Sequence, residues 1–253
     1  MTVGDRPRVS VVTPAYNAAR FLEQTIRSVQ AQSFTDWEQI VVDDGSVDGT
    51  RDVVRRLARG DSRIRLLERP NEGAARARNA GMTEARGRYL AFLDSDDLWV
   101  PEKLQEQVRH MEGTGSVFSF TGYSLIDEEG RSVGRPVRIP ARMSYRDLLE
   151  NTIIGCLTVM LDRLNLGDLE MPPLPQHEDL ALWFRILKSG VSATGIQRDL
   201  ARYRIVRGSA SRNKVRSALH MWHVYRSIEH LSLPRAGWSY AHYAWNAYWK
   251  NRV

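Results

Sequence analysis

A single cysteine, Cys156, is all that this chain of 253 residues carries, so no internal disulfide can staple it. Its fold must be held by a buried core, in keeping with a reducing compartment, and Cys156 within Ile153-Ile154-Gly155-Cys156-Leu157 reads as packing. No apolar run approaches the roughly 20 residues that cross a bilayer. Met1-Thr2-Val3-Gly4-Asp5-Arg6-Pro7 lacks the apolar stretch of a secretory leader. Together these absences point to a cytoplasmic, soluble chain. Lysine is scarce, with four residues, so the net charge of +6 is carried almost wholly by arginine. The excess favours acidic partners, a nucleotide or an anionic lipid surface, and nothing implies nucleic acid. No G-x-G-x-x-G follows the first apolar run, which ends in Thr13-Pro14-Ala15-Tyr16. That excludes the usual dinucleotide-binding turn of a dehydrogenase.

Alternating apolar strand and helix patterns run from Arg8 to about Met111, the mark of a mostly parallel sheet with helices on both faces. Val9-Ser10-Val11-Val12-Thr13 reads as a buried strand stopped by Pro14, with Tyr16 and Asn17 in the loop beyond. The helix after it carries Leu22, Ile26 and Val29 on one face. Trp37 to Val42 is a second buried strand, ending in Asp43-Asp44-Gly45-Ser46. Ligands of open α/β sheets sit at the carboxyl ends of strands. There an aromatic ring and a neighbouring carboxylate can bracket a nucleobase, or Asp43 to Ser46 simply turn the chain into a helix from Thr50 to Arg59. In Asn71-Glu72-Gly73-Ala74-Ala75-Arg76-Ala77-Arg78-Asn79-Ala80-Gly81, small residues let a helix lie close to the sheet. Arg76 and Arg78 either meet an anion or sit solvated on the surface. Tyr89 to Leu93 is a short strand running into Asp94-Ser95-Asp96-Asp97. Two carboxylates one residue apart suit a hard divalent cation that spends its other positions on water and phosphate. The bland reading is a turn, with Asp97 capping the next helix.

These four segments, V-S-V-V-T-P-A-Y-N, V-V-D-D-G-S-V-D-G-T, N-E-G-A-A-R-A-R-N-A-G and Y-L-A-F-L-D-S-D-D, resemble in sequence and order the family 2 glycosyltransferases of GT-A fold. The resemblance implies an inverting enzyme that uses a nucleotide-diphosphate sugar, uridine favoured, with Mn²⁺ or Mg²⁺. It puts Pro14 and Tyr16 at the base and ribose, and Asp44, with Asp43, on the base N–H. Asn71 and Arg78 line the same pocket, Asp94-Ser95-Asp96 lies at the ribose and metal, and Asp96 is the chief metal ligand beside Asp94. His177-Glu178-Asp179-Leu180-Ala181-Leu182-Trp183 resembles the family's E-D segment. By that match Asp179 is the general base, Glu178 shapes the site, and Trp183 packs against acceptor or donor sugar; the alternative makes Asp179 only a helix cap. Tyr203-Arg204-Ile205-Val206-Arg207-Gly208-Ser209-Ala210-Ser211 resembles the stretch after the last strand, with Val206 where the family often has histidine. Arg204 or Arg207 then meets the diphosphate, or is an edge-strand arginine without a ligand.

The second half reads as a hairpin over Ser116 to Arg138, a short helix opened by the capping-box pattern Ser144-Tyr145-Arg146-Asp147, and a strand over residues 153 to 161. The predicted organisation is a catalytic domain over 1–211, with a nucleotide-sugar half over 8–111 and an acceptor half over 112–211, then an aromatic helical extension over 212–253. The extension holds four of the seven tryptophans, Trp222, Trp238, Trp245 and Trp249. Pro234 is read as splitting it into two helices. Its stripe of Trp238, Ala241, Trp245, Tyr248 and Trp249 docks on the catalytic domain, forms a homodimer contact, or rests peripherally at the inner face of the membrane, the first two being favoured. The acceptor is a sugar, lipid-linked or other hydroxyl. Two further classes stay open: a nucleotidyltransferase that makes sugar nucleotides, and a catalytically dead glycosyltransferase-like module.

Overall fold

The computed structural model describes residues 6–206 and 214–250, with the side chains of 214–216 and 247–250 outside that description. The chain runs β1 (Val9–Ala15), α1 (Leu22–Gln30), β2 (Trp37–Asp44), α2 (Thr50–Gly60), β3 (Ile64–Arg69), α3 (Ala74–Glu84), β4 (Tyr89–Phe92), β5 (Leu98–Trp99), α4 (Lys103–Thr114) and β6 (Phe118–Ile126). It continues through β7 (Ser132–Val137), β8 (Arg142–Met143), α5 (Tyr145–Glu150), β9 (Met160–Asp162), α6 (Arg163–Leu166), α7 (Glu178–Lys188), β10 (Ala193–Arg204), α8 (Lys214–His223) and α9 (Leu233–Lys250).

The sheet order is β3-β2-β1-β4-β9-β6-β10-β5, with β7 beside β6 and β8 beside β10. β3, β2, β1 and β4 are parallel, as their crossover helices require. The pairing then reverses at β9, which runs antiparallel to both β4 and β6. Side-chain alternation divides the core in two. Val9, Val11, Val41 and Leu93 face α1, α2 and α4, whereas Val12, Ile40, Val42 and Phe92 face α3 and α7. The small residues of α3 act as the sequence predicts: a Cβ on Gly81 would lie 2.5 Å from Val12 Cγ1, so only glycine lets the helix approach this closely.

The predicted hairpin is β6 with β7, and Ser144 and Asp147 form the capping box of α5. The predicted strand over 153–161 is corrected. Cys156–Thr158 is a single 3-10 turn, closed by the Thr158 amide and hydroxyl donating to the Gly155 carbonyl, and only Met160–Asp162 pairs as strand. Pro234 does not separate the helices either. It sits in the first turn of α9, where its missing N–H costs nothing, and the break is at His230, whose φ is 52°.

The last helices pack on the same core. Met221, Val224, Tyr225, Leu231 and Ala236 join the cluster that holds Phe92 and Trp183, and the Tyr225 hydroxyl donates to the Leu149 carbonyl. The surface α9 turns inward is Ala236, Ser239, Tyr240 and Tyr243, not the tryptophan stripe. Trp238 and Trp245 are 61% and 62% exposed, and Tyr248 and Trp249 lie outside the described side chains.

Candidate active site

The carboxyl ends of β1, β2 and β4 converge on one edge of the sheet, and their loops are tied together by side chains. The Asn17 amide donates to Ser46 Oγ (2.9 Å), and the Val47 amide donates back to Asn17 Oδ1 (2.9 Å). The Ala18 amide reaches Thr50 Oγ1 at 2.8 Å and the Ala19 amide reaches Asp48 Oδ2 at 3.2 Å. Asn17 takes a left-handed φ of 48°, which asparagine tolerates well, and this turns Tyr16 outward to 53% exposure. Tyr16 therefore presents a ring face at the end of β1.

Asp44 is buried, and its two oxygens accept the amides of Glu72 (2.8 Å) and Gly73 (2.9 Å), drawing the loop before α3 onto β2. Gly45, with φ 77°, makes room for that loop: a Cβ there would lie 2.8 Å from the Asn71 amide nitrogen. Asn71 is exposed at the same rim. Asp43 points elsewhere. Its Oδ2 takes the Ser46 amide and Arg51 Nε (2.6 Å), so it fastens α2 to the sheet.

The two arginines of α3 part company. Arg76 is exposed and pairs with Glu72, the solvated alternative. Arg78, 6% exposed, joins two halves of the molecule. Its Nη2 donates to Asp94 Oδ1 and its Nη1 to Glu178 Oε1, both at 2.5 Å. Next to it Asn79 grips the segment before α7, exchanging hydrogen bonds with both backbone groups of Met171 at 2.8 Å. One turn of α3 thus holds both the strand-end aspartates and the loop that delivers Glu178 and Asp179.

The Asp94–Asp97 turn is clamped from two sides. The Thr25 hydroxyl of α1 faces the carbonyls of Ser95 and Asp97 at 3.0 and 2.9 Å. From β10, Arg204 donates through Nε to the Asp96 carbonyl, through Nη1 to the carbonyls of Asp127 and Glu128, and through Nη2 to Gln24. Arg204 is 2% exposed with its donors committed, so the expected diphosphate contact is corrected: it is an internal clamp. Arg207 lies outside the described residues. Asp97 does not cap a helix, because Pro101 delays α4 to Lys103. It is buried and accepts the Arg204 amide at 2.7 Å. Replacing Arg204 with methionine leaves buried carbonyls without donors, and a loss of about 3 kcal/mol in stability is expected in a urea titration.

At α7 the cap reading of Asp179 also fails. His177 is the N-cap residue, with φ 64°, and its ring bonds Ser217 of α8 at 3.1 Å. Asp179 lies in the first helical turn and accepts only its neighbour's amide, Leu180, at 2.7 Å. Burial first, and the adjacent Glu178 charge next, push its carboxyl up to about 7, against the pull of Arg78. Trp183 is 0% exposed and packs against Phe92 and Phe118 at ring distances of 5.9 and 5.3 Å. With no surface to offer a sugar, it is the floor beneath the site, a correction to the sugar-packing reading. Cys156 is likewise buried beneath the cluster.

Asp94, Asp96, Asp97, Glu178 and Asp179 gather here around Arg78 and Arg204. The Asp96 carboxylate accepts no hydrogen bond from another described residue. Its pKa is pushed up to about 6, by burial first and by the Asp94 charge second. This donor set fits a hard divalent cation. Among the described residues no group of three His, Cys, Asp or Glu side chains is placed to hold a metal, so such an ion would take its other ligands from diphosphate and water.

Comparison with known proteins agrees with this arrangement. Residues 10–164 match the glycosyl transferase family 2. A Bacillus subtilis glycosyltransferase named for teichuronic acid biosynthesis, TuaG, is 46% identical over 243 residues, 96% of each chain. The Escherichia coli protein WfgD, named as a UDP-Glc:alpha-D-GlcNAc-diphosphoundecaprenol beta-1,3-glucosyltransferase, is 40% identical over 85% of this chain and 84% of its own. Among solved structures, S. aureus TarS 1-349 with UDP-GlcNAc aligns with a TM-score of 0.71 at 20% identity, over 86% of this chain and 65% of that one. The mannosyltransferase PcManGT from Pyrobaculum calidifontis, with GDP-Man and Mn²⁺, aligns at 0.69 and 22%, over 94% of this chain and 69% of that one. The sheet order is thus that of a GT-A fold, and with the family's match across the strand-end aspartates, this chain belongs to glycosyl transferase family 2.

Proposed function

We propose that the protein is an inverting transferase that moves a sugar from a UDP-sugar to a hydroxyl of a lipid-diphosphate-linked acceptor. The observation that carries this reading is Arg78. A single guanidinium spans from Asp94, at the strand end where the nucleotide loops meet, to Glu178, the neighbour of Asp179. Donor-side carboxylates and a candidate base are thereby set within one side chain of each other, as a direct displacement needs.

In this reading the acceptor hydroxyl attacks the anomeric carbon from the face opposite the diphosphate. Its proton passes to the Asp179 carboxylate, the bond from the anomeric carbon to the diphosphate oxygen breaks, and its electron pair leaves with that oxygen. Attack from the opposite face inverts the configuration. A carboxyl pushed up to about 7 is a far better proton acceptor than an ordinary aspartate and is still substantially ionised at neutral pH. Asp96, with Asp94, would hold Mn²⁺ or Mg²⁺, which supplies positive charge to the leaving diphosphate. Tyr16 stacks on the base at the end of β1 that carries Pro14, with Asn71 at the polar rim and the buried Asp44 holding that rim's loop in place. The lipid-linked acceptor and the uridine donor are supported by the name of WfgD and by TarS with UDP-GlcNAc.

The test is turnover of a panel of UDP-, GDP- and dTDP-sugars on a polyprenyl-diphosphate-linked sugar, with and without Mn²⁺. Tyr16→Ala is expected to raise the donor KM by about ten-fold through lost stacking, without lowering the melting temperature. No release of nucleoside diphosphate with any donor would end the proposal. An unchanged donor KM in the Tyr16 variant would move the base elsewhere.

A further inference from the structure

The 42 residues from Arg212 to Val253 carry seven Lys and Arg against one acid, Glu229, and so account for the whole net charge of +6. The preceding 211 residues are balanced. The same segment supplies most of the large apolar side chains left on the surface: Leu219, Trp222, Leu233, Trp238 and Trp245 are each at least 36% exposed.

These side chains stand on a fixed platform. α9 is seated on α5 through Ala236, Ser239, Tyr240 and Tyr243, and Asn246 donates to the Glu150 carbonyl at 2.9 Å. On the opposite side Trp238 and Trp245, seven residues apart, share one outward line. The Trp238 ring packs against His242, and its indole N–H donates to Glu150 Oε1 at 3.2 Å. Arg235 is exposed beside this line, three residues before Trp238. Lone exposed hydrophobics are ordinary, but two tryptophans in line beside an exposed arginine are a costly surface to leave in water.

We propose that the outward face of α9 is an interfacial surface that lays the enzyme on an anionic lipid bilayer. Indole rings are favoured at the boundary between headgroups and acyl chains, where an apolar body and an N–H donor are both accommodated. Arg235 beside them, and the net positive charge of the segment as a whole, draw the helix to anionic headgroups. No described helix is long and apolar enough to cross a membrane, so the contact is peripheral. A second copy of the chain is the poorer occupant. A dimer through this face would set Arg235 against its own copy and bring together two C-terminal segments that each carry +6 over residues 212–253, whereas an anionic surface is complementary to both.

The experiment is co-sedimentation of the full chain with vesicles, with no donor present, so it is independent of sugar transfer. Binding is expected to phosphatidylglycerol–phosphatidylcholine vesicles, to weaken steeply with added salt, and to be absent with phosphatidylcholine alone. The double variant W238S/W245S is expected to bind about ten-fold more weakly or worse. It should keep its melting temperature, because both side chains are largely in water, and its turnover on a water-soluble acceptor analogue. Failure of the parent chain to bind anionic vesicles overturns the proposal whatever the variant does. Equal binding by the double variant overturns the assigned face. Sedimentation equilibrium showing a dimer in the parent and a monomer in the variant assigns the face to a second copy instead.

Discussion

Asparagine at position 179 is expected to lower turnover by about a thousand-fold while leaving donor affinity within a few-fold of the parent. The amide keeps the shape of the side chain and can still accept the Leu180 amide, but it cannot take a proton from the acceptor. In the parent enzyme the rate should fall as the pH drops through about 7, where Asp179 becomes protonated. Stability runs the other way. The folded pKa lies above the unfolded one, so folding favours the protonated form, and this contribution is full below the unfolded value near 4 and lost as the pH rises through about 7. Asp179→Asn should therefore melt above the parent at about pH 8, the gap closing under acid conditions. Calorimetry across that range, beside the rate profile, separates a base held at a cost from a residue that merely shapes the helix. Near-normal transfer by the variant would remove Asp179 from the chemistry and direct attention to Glu178.

Asp96→Ala is expected to weaken metal-dependent donor binding by about a hundred-fold or more, with the fold intact. The carboxylate takes no hydrogen bond from another described residue, and burial beside Asp94 has raised its pKa to about 6. Its removal relieves repulsion rather than breaking a contact. The turn itself is fixed through carbonyls, by Thr25 and Arg204, and these remain. Isothermal titration with the nucleoside diphosphate, with and without Mn²⁺, gives a direct reading. If Asp96→Ala retained the parent's Mn²⁺ dependence, the metal would have to sit elsewhere.

The donor half was legible because its strands are continuous apolar runs closed by turn residues, and its helices carry their apolar faces at clear spacing. Legibility failed where a residue type fits two surroundings. Arg76 and Arg78 differ by two positions, about 200° around a helix, so one meets solvent and the other the core; the small residues of α3 mark no face strongly enough to tell which. Ile153 to Leu161 has the composition of a strand, yet Gly155 and the Thr158 hydroxyl close a 3-10 turn within it. Trp183 lies close to Asp179 in sequence, which suggests a ligand-facing ring, but one turn along α7 it points into the layer of Phe92 and Phe118. Arg204 looked like a ligand for phosphate because nothing local shows that four acceptors from distant segments converge on it. The clamp residues Gln24, Thr25 and Asn79 left no signal, since each acts on chain 70 or more residues away. On α9 the aromatic stripe stood out while the surface that docks, made of small residues and tyrosines, did not.

The side-chain lacing between the β1 and β2 loops has a consequence for how a ligand is received. Asn17, Ser46, Asp48 and Thr50 already occupy the amides of Asn17, Ala18, Ala19 and Val47, so these loops have few other conformations to surrender. Little ordering entropy is then spent when a nucleotide arrives, and the encounter is closer to lock-and-key than to folding around the ligand. A wrong base is discriminated by how soon it leaves rather than by how slowly it enters, because the cradle is standing before either one comes.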